Sequence, residues 1–312
     1  MQRERVVVVD NLCKRYGNHT ALNGISFAVE PGEVFGLLGP NGAGKATTLE
    51  ILEGFRRPDT GRAEVLGVDP AARSTSTELR ERIGIVLQDA SIEPFLSVRQ
   101  ALKRNAGYYR SPRDVDEVLT LVGLNDKADD RVKSLSGGQV RRLDLAVGVV
   151  GAPELLFLDE PTTGFDPVAR RDFWTLVRSL ADGGTTVLLT THYLEEADAL
   201  ADRVAVLRGG HVVAEGSPKS LGGRDISEAR IRFRLALSVD LATLPVQPTS
   251  REGETIEILT SDEIAVLRTL THWAVSSDVS IDGLTVERRS LEDVYVALTG
   301  GNKVAATAEQ HQ

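Results

Sequence analysis

The chain has 312 residues, with 36 lysines and arginines against 45 aspartates and glutamates, which gives a formal net charge of −9. An acidic balance disfavours broad nucleic-acid binding, which requires a basic surface, and no apolar run reaches the roughly 18–20 residues of a membrane-spanning helix. The single cysteine, Cys13, excludes an intramolecular disulfide and indicates a reducing compartment.

Short apolar runs alternate with helical patterns through the first two thirds of the chain. This alternation predicts an α/β fold with a largely parallel sheet, and the uniform apolarity of the runs predicts a sheet covered on both faces. The predicted strands are Val6–Val9, Ile25–Val29, Val34–Leu38, Ile83–Leu87, Leu155–Leu158 and Val187–Leu189. The predicted helices are Lys45–Glu53, Ser97–Ala106, Val115–Val122, Gln139–Val150, Val168–Ala181 and Tyr193–Ala201.

Two segments of this region depart from the simple alternation. The early strands lie close together, with turns such as Pro31-Gly32 between them, which predicts an antiparallel flap. Between Ser97 and Gly138 only helical patterns occur. A helical subdomain of about residues 90–150 is therefore predicted to interrupt the α/β core.

The character of the sequence changes near residue 223. We predict a main domain over residues 1–222, a small α+β domain over residues 223–300 and a disordered polar tail over residues 301–312. Residues 225–312 hold 8 basic and 14 acidic residues, so they carry −6 of the net charge. The predicted elements of the small domain are the strands Ile231–Leu237, Thr255–Leu259 and Val275–Ile281, a helix from Ser261 and a last helix at Leu291–Leu298.

The strongest motif is a glycine-rich loop, Gly39-Pro-Asn41-Gly42-Ala-Gly44-Lys45, between a predicted strand and a predicted helix. Glycines let the backbone curl so that its N–H groups point inward, and the helix N-terminus adds a favourable dipole for an anion. The loop therefore predicts a phosphate-binding site in which Lys45 reaches the β- and γ-phosphates.

The residue after the lysine departs from the motif. A serine or threonine hydroxyl is expected there as a Mg²⁺ ligand, but this chain has Ala46. Thr47 follows about 100° further round the helix, so it is not expected to replace the missing ligand. We expect retained nucleotide binding with weakened Mg²⁺ placement and slowed hydrolysis; the alternative is that water fills the position and activity is merely reduced. The alanine is compatible both with a natural replacement and with an engineered substitution.

Two further motifs add carboxylates and a second anion site. Asp159 and Glu160 follow the apolar run Leu155–Leu158, so Asp159 is predicted to hold Mg²⁺ and Glu160 to polarise an attacking water. The run Leu135-Ser136-Gly137-Gly138-Gln139 opens a predicted helix and forms a second anion site. One nucleotide needs two such anion sites only when they come from different chains, so this motif suggests a dimer. The alternative is that the motif is only the capped start of a helix.

In order and spacing these motifs resemble those of the ATP-binding subunits of ATP-binding-cassette (ABC) transporters, over residues 5 to 220. The resemblance implies a P-loop NTPase fold and gives roles to five further positions. Tyr16 matches the aromatic residue that stacks on adenine, and Gln88 the glutamine that touches Mg²⁺ and senses the membrane partner. Phe165-Asp166 matches the loop that crosses the dimer interface, although leucine is usual at Phe165. His192 matches the histidine that contacts the γ-phosphate.

The resemblance also implies a mechanism with ATP and Mg²⁺. Two chains pair head to tail as a homodimer and sandwich two ATP molecules between one chain's phosphate loop and the other chain's Ser136–Gln139. Glu160, His192 and Gln88 are the implied catalytic residues, and Asp159 and Gln88 the implied metal ligands. The implied nucleotide contacts are Tyr16, Gly39, Asn41, Gly42, Gly44, Lys45, Thr47, Ser136, Gly137, Gly138, Gln139 and Asp166.

The last third of the chain narrows the resemblance. The terminal segment Ser290–Thr299, which contains the last predicted helix, and the overall length resemble the drug- and antibiotic-export branch of bacterial ABC-2-type systems, as in daunorubicin resistance. In that branch the ATPase and the membrane subunit are separate chains. This implies a peripheral subunit on the cytoplasmic face of the membrane, bound to a polytopic permease and not to nucleic acid. The alternatives are a cassette protein acting on ribosomes or DNA, and a nucleotide-binding regulator that does not hydrolyse ATP.

Overall fold

The computed structural model describes residues 5–72, 76–88, 92–226, 228–237, 239–288 and 290–299. The chain divides into two compact units, the first ending at Pro218 and the second beginning at Lys219. The predicted disordered tail, residues 301–312, lies outside the described residues. Nowhere in the described part of the chain is a helix both long enough and apolar enough to cross a bilayer.

The first unit is a layered α/β structure, as predicted. Its strands are β1 (Val7–Tyr16), β2 (His19–Val29), β3 (Val34–Leu38), β4 (Thr60–Val65), β5 (Ile83–Val86), β6 (Leu155–Asp159), β7 (Thr186–Thr191), β8 (Arg203–Arg208) and β9 (His211–Gly216). Its helices are α1 (Lys45–Leu52), α2 (Ser76–Arg82), α3 (Val98–Ala106), α4 (Val115–Leu121), α5 (Gly137–Val149), α6 (Pro167–Asp182) and α7 (Leu194–Leu200). Each strand and helix predicted for this region overlaps an observed one.

The central sheet has the strand order β5-β6-β7-β3-β8-β9, with β9 antiparallel to β8 and the other neighbours parallel. Every residue of β3 and β7 is buried, which confirms that the sheet is covered on both faces. In a parallel sheet the carboxyl ends of the strands meet at one edge. The loops after β3, β6 and β7, which carry the predicted site residues, therefore lie at that edge.

The predicted flap and helical insertion are both present. A separate antiparallel sheet has the order β2-β1-β4, with Val7 opposite Val29 in one pair and opposite Val65 in the other. The strands β4, β8 and β9 were not predicted. The first three residues of β4 are exposed, and β9 alternates between exposed and half-buried residues, so these two strands lack a continuous apolar run. Between residues 97 and 138, the described segment contains α3, α4, short 3-10 turns and the start of α5.

The second unit is the small α+β domain that was predicted. Its strands are β10 (Ala229–Arg234), β11 (Ser250–Glu252), β12 (Thr255–Thr260) and β13 (Asp282–Glu287), and its helices are α8 (Glu263–Ser276) and α9 (Leu291–Thr299). The antiparallel sheet has the order β11-β12-β10-β13. Its core is formed by Ile231, Phe233, Leu235, Ile256, Ile258 and Leu270.

One predicted strand of this unit, Val275–Ile281, is wrong. Val275 and Ser276 are the last residues of α8, and the strand lies instead at Asp282–Glu287. The valine and isoleucine in this stretch suggested a strand, but Val275 is 84% exposed on the helix and contributes little to a core. Asp278, with φ of 54°, takes a left-handed conformation that ends the helical turn before β13 begins.

Candidate active site

A cavity of about 360 Å³ at the carboxyl edge of the central sheet gathers half of the predicted nucleotide contacts. We call it the phosphate-loop cleft. Its lining joins the loop between β3 and α1 to the end of β1 and to the end of β6. The lining residues are Tyr16, His19, Ala21, Asn41, Gly42, Gly44, Lys45, Ala46, Thr47, Gln88, Asp159 and Glu160.

Close backbone packing makes glycine necessary in the phosphate loop. Gly44 has φ of 107°, and a Cβ there would lie 2.6 Å from the carbonyl oxygen of Ala21. A Cβ on Gly39 would lie 2.6 Å from the carbonyl oxygen of Leu207. Gly44 is the N-cap of α1, so the loop leads directly into a helix whose first N–H groups face the cleft. The loop therefore has the backbone geometry that a phosphate site requires.

Lys45 is held at the floor of this loop. Its ammonium donates to the carbonyl oxygens of Gly39 at 2.8 Å and Pro40 at 3.3 Å, and it lies 3.2 Å from Glu160 Oε1. The residue is buried, so its charge needs these partners. A phosphate that enters the loop would compete with the Glu160 carboxylate for the same ammonium.

Asp159 and Glu160, the acidic pair at the end of β6, are held in place by hydrogen bonds to Thr190 on β7. Asp159 Oδ1 accepts a hydrogen bond of 2.5 Å from the hydroxyl of Thr190, and the Glu160 N–H donates to the Thr190 hydroxyl at 3.0 Å. Glu160 Oε2 lies 3.1 Å from Nδ1 of His192. The Glu160 carboxylate thus lies between a lysine and a histidine, one from the loop after β3 and one from the loop after β7.

The Ser136–Gln139 motif lines a different cavity, of about 820 Å³, which we call the signature cleft. Ser136 caps α5 in a capping box: its hydroxyl accepts from the Gln139 N–H at 3.3 Å, and Gln139 Oε1 accepts from the Ser136 N–H at 2.9 Å. Gln88 and Glu160 line both cavities. Within one chain the motif therefore does not line the phosphate-loop cleft.

The Phe165-Asp166 loop also lines the signature cleft and leads into α6. Asp166 Oδ1 accepts hydrogen bonds from the backbone N–H groups of Val168 at 2.9 Å and Ala169 at 3.0 Å. These hydrogen bonds, chiefly the one from Ala169, hold the pKa of the Asp166 carboxyl below its usual value. The rings of Phe165 and Phe173 pack edge to face, with their centroids 5.8 Å apart. Phe165, which stands where leucine is usual, therefore packs against the core.

The donors around the phosphate-loop cleft suit a hard cation only in part. Asp159 offers a carboxylate and Gln88 an amide oxygen, both of which are oxygen ligands that Mg²⁺ accepts. Ala46 lines the cleft with a methyl group and offers no ligand, and Thr47 stands beside it. Across the described residues no cluster of three or more metal-binding side chains occurs. A cation here would need phosphate oxygens and water to complete its coordination.

Three contributions to the site were not predicted from the sequence. Thr190 orients Asp159, and His19 and Ala21 line the cleft from β2. The role of Thr190 could have been predicted, because Thr190-Thr-His192 places a hydroxyl at the carboxyl end of a buried strand. The positions of His19 and Ala21 depend on how the flap folds over the sheet, and their sequence gives no local signal.

Glu53, at the end of α1, is a buried carboxyl group near the site. Its Oε1 has no hydrogen-bond partner. Burial, together with the negative charges of Asp159 and Glu50, raises the pKa of Glu53 to about 8. The native chain therefore binds more protons than the unfolded chain between about pH 4.5 and pH 8, so the free energy of unfolding falls as the pH rises through this window.

Replacing Glu53 by glutamine is expected to remove this pH dependence. One pKa unit corresponds to about 1.4 kcal/mol, so the wild type should lose about 2–3 kcal/mol of unfolding free energy between pH 6 and pH 9 that Glu53→Gln keeps. Urea unfolding of the first unit, in EDTA and without nucleotide, measures the difference. Glu117→Gln, at an exposed carboxylate of α4 in the same unit, is the matched control and should keep the wild-type slope. An equal slope for Glu53→Gln and the wild type would contradict the assignment.

Known proteins resemble this chain along nearly its whole length. The ABC transporter family model matches residues 22–163, and a model for the C-terminal domain of ABC transporter domain-containing protein-like chains matches residues 229–290. The daunorubicin resistance ATP-binding protein DrrA3 of Streptomyces coeruleorubidus is 38% identical over 96% of this chain and 98% of its own. The Nod factor export ATP-binding protein I of Rhizobium meliloti is 41% identical over 94% of this chain and 87% of its own.

Solved structures resemble about two thirds of the chain. The structure of cbiO1 from Clostridium perfringens, part of the ABC transporter complex cbiONQ, has a TM-score of 0.64 at 32% identity and covers 70% of this chain and 90% of its own. The dimeric ATP-binding cassette MJ0796, bound to ADP and phosphate, has a TM-score of 0.61 at 25% identity and covers 68% of this chain and 98% of its own.

Proposed function

The chain belongs to the family of ABC transporter ATP-binding proteins, and from this premise we propose that it drives the export of a small molecule or drug through a separate polytopic membrane subunit. As a member of this family it is a nucleotide-binding ATPase coupled to transport. Its relatives by name serve daunorubicin resistance and Nod factor export, which supports export as the direction and a small organic molecule as the cargo.

The observation that carries the proposal is the composition of the phosphate-loop cleft. One cavity contains an aromatic residue for adenine (Tyr16), the phosphate loop with Lys45, and the Asp159–Glu160 pair at the opposite wall. Tyr16 stands at the end of β1 on the flap and is 37% exposed, so part of its ring is open to stack on a base. An adenine nucleotide that spans the cleft would meet these groups in that order.

We assign the hydrolytic roles from the same geometry. Lys45 would bind the β- and γ-phosphates after leaving Glu160, and Asp159 and Gln88 would hold Mg²⁺, which neutralises developing charge on the phosphates when bound. Glu160 would orient and polarise the attacking water, since its carboxylate faces the loop. His192, 3.1 Å from Glu160, would contact the γ-phosphate and stabilise the transition state.

The separation of the two clefts supports a head-to-tail homodimer. Ser136–Gln139 does not line the phosphate-loop cleft of its own chain, yet its capped helix start offers N–H groups to an anion. In a head-to-tail pair the signature of one chain closes the phosphate-loop cleft of the other. ATP would then bind the closed dimer better than the open one, which is what converts binding into motion.

We propose that the membrane subunit binds at a third cavity, of about 260 Å³, beside Leu87. Leu87 and Gln88 directly follow β5, and we call these two residues the Gln88 loop. Leu87 and Tyr108 line it while 50% and 69% exposed, and Ile85, Ile92 and Val147 add apolar surface. Glu93, Arg104 and Asp144 also line this cavity, and exposed apolar side chains bordered by polar ones are typical of an interaction site. This proposal puts the chain on the cytoplasmic face of the bacterial membrane as a peripheral subunit.

Co-isolation from native membranes tests this function. We expect the tagged chain to be recovered from detergent extracts together with a polytopic membrane protein, and Tyr108→Ala to reduce that recovery several-fold while leaving ATP binding by the isolated chain unchanged. Ile264→Ala, at an exposed apolar residue of α8 in the second unit, is the matched control and should co-isolate normally. Recovery with ribosomes or DNA in place of a membrane protein would contradict the proposal and favour the alternative cassette function.

A further inference from the structure

The side chain of Arg141 reaches from the second turn of α5 into the space between two loops of the site, and the residue is only 7% exposed. Its Nε donates to the carbonyl oxygen of Pro161 at 2.8 Å, and its Nη2 to that of Asp159 at 3.2 Å. Its Nη1 donates to the carbonyl oxygens of Leu87 and Gln88, the latter at 3.3 Å. One guanidinium therefore joins α5 to both the Gln88 loop and the loop after β6.

The chemistry of this contact is specific to arginine. A guanidinium is a planar fork of N–H donors with fixed directions, whereas a lysine ammonium is a single point charge. The acceptors are main-chain carbonyl oxygens of two loops, so the side chain fixes backbone positions. Asp144, one turn further along α5, places a carboxylate oxygen 3.7 Å from Nη1 and balances the buried charge.

Two of the carbonyls that Arg141 holds flank Glu160 in the sequence. Glu160 has φ of 42°, a left-handed conformation that is unfavourable for a residue with a Cβ. Such a conformation persists when the surrounding structure determines it. Here hydrogen bonds from Arg141 fix the peptide group just before Glu160, through the Asp159 carbonyl, and the peptide group just after Pro161, through the Pro161 carbonyl. The same conformation directs the Glu160 carboxylate toward Lys45 and His192.

We propose that Arg141 is a positioning residue for ATP hydrolysis. It fixes the positions of Glu160 and the Gln88 loop relative to α5, the helix that begins at the signature motif. The inference rests on the proposed function, because it requires Glu160 to orient the attacking water. Arg141 does not line the phosphate-loop cleft, and its hydrogen bonds go to main-chain carbonyl oxygens outside the phosphate loop. It therefore acts on the rate of the chemical step and not on ATP affinity.

The conservative variant Arg141→Lys tests this role. Lysine keeps the charge but cannot reach both loops at once, so we expect kcat to fall at least about tenfold while KM and the Kd for ATP change less than about twofold. Steady-state hydrolysis, fluorescent ATP titration and thermal melting are measured on the same preparations, in the wild type and in the Ala46→Thr background. Arg178→Lys is the matched control, because Arg178 on α6 also has several partners but is far more exposed, and it should leave all values unchanged.

Two kinds of outcome would overturn the proposal. The first is an unchanged kcat, whether or not the Kd for ATP is raised. The second is a loss of activity that matches the fraction of protein with a lowered melting temperature. Arg141→Gln, a smaller neutral donor, is the second variant and should lower kcat further, again without raising the Kd. Failure of the proposed function is separable, because it appears as absent ATP binding by the unsubstituted chain in the same titration. Normal ATP binding with normal turnover in Arg141→Lys would remove only the positioning role.

Discussion

Replacing Ala46 by threonine is expected to raise ATP turnover at least about tenfold, which corresponds to about 1.4 kcal/mol of activation free energy. Ala46, the second residue of α1, lines the phosphate-loop cleft, and its methyl group offers no oxygen to a cation. A threonine hydroxyl there would complete the ligands supplied by Asp159 and Gln88. Because a well-placed metal ion stabilises phosphoryl transfer by several kcal/mol, improved placement should act mainly on kcat.

Ala46→Val is the control that isolates the hydroxyl, since valine has nearly the shape of threonine without an oxygen. We expect Ala46→Val to stay at the wild-type rate, and Ala46→Thr to reach half-maximal activity at a lower Mg²⁺ concentration than the wild type. Equal rates for the wild type and Ala46→Thr would show that water already serves the position. ATP binding without turnover in all three chains would instead favour the non-hydrolysing regulator.

The nucleotide loop was predictable because its requirements are local. The glycine spacing before Lys45 is imposed by a φ of 107° at Gly44 and by backbone atoms that approach too closely for a Cβ. Uniformly apolar runs predicted buried parallel strands, and a parallel sheet brings the ends of its strands to one edge. The meeting of Lys45, Glu160 and His192 follows from these two facts, although the three residues lie far apart in the sequence.

Contacts that depend on tertiary packing were not predictable in this way. The partners of Arg141 lie 54 residues before it, at Leu87, and 20 residues after it, at Pro161, and no pattern around residue 141 indicates either. The wrong strand at Val275–Ile281 has the same origin, because β-branched residues carry a propensity that the packing of α8 overrides. Sequence reasoning recovers elements and motif chemistry, while the positioning of that chemistry requires the folded chain.

Replacing Glu160 by glutamine is expected to lower turnover at least about 100-fold, in the wild type and in the Ala46→Thr background, because an amide cannot accept the proton of an attacking water. The substitution also removes the carboxylate that pairs with Lys45 at 3.2 Å. ATP binding should therefore be preserved or tightened, as measured by fluorescent titration. Glu154→Gln, at an exposed carboxylate just before the other end of β6, is the matched control and should hydrolyse ATP normally. Full activity in Glu160→Gln would remove the assigned base.

The same variant tests how the two clefts meet. With hydrolysis blocked, ATP should hold Glu160→Gln as a dimer in size-exclusion chromatography with light scattering. Adding Ser136→Arg should abolish that dimer while the monomer still binds ATP, because Ser136 lies outside the phosphate-loop cleft of its own chain. If Ser136→Arg instead weakened ATP binding by the monomer, the signature would act on its own chain's nucleotide, and the head-to-tail arrangement would be wrong. An unaffected dimer would also contradict that arrangement, since the arginine would then stand outside the contact.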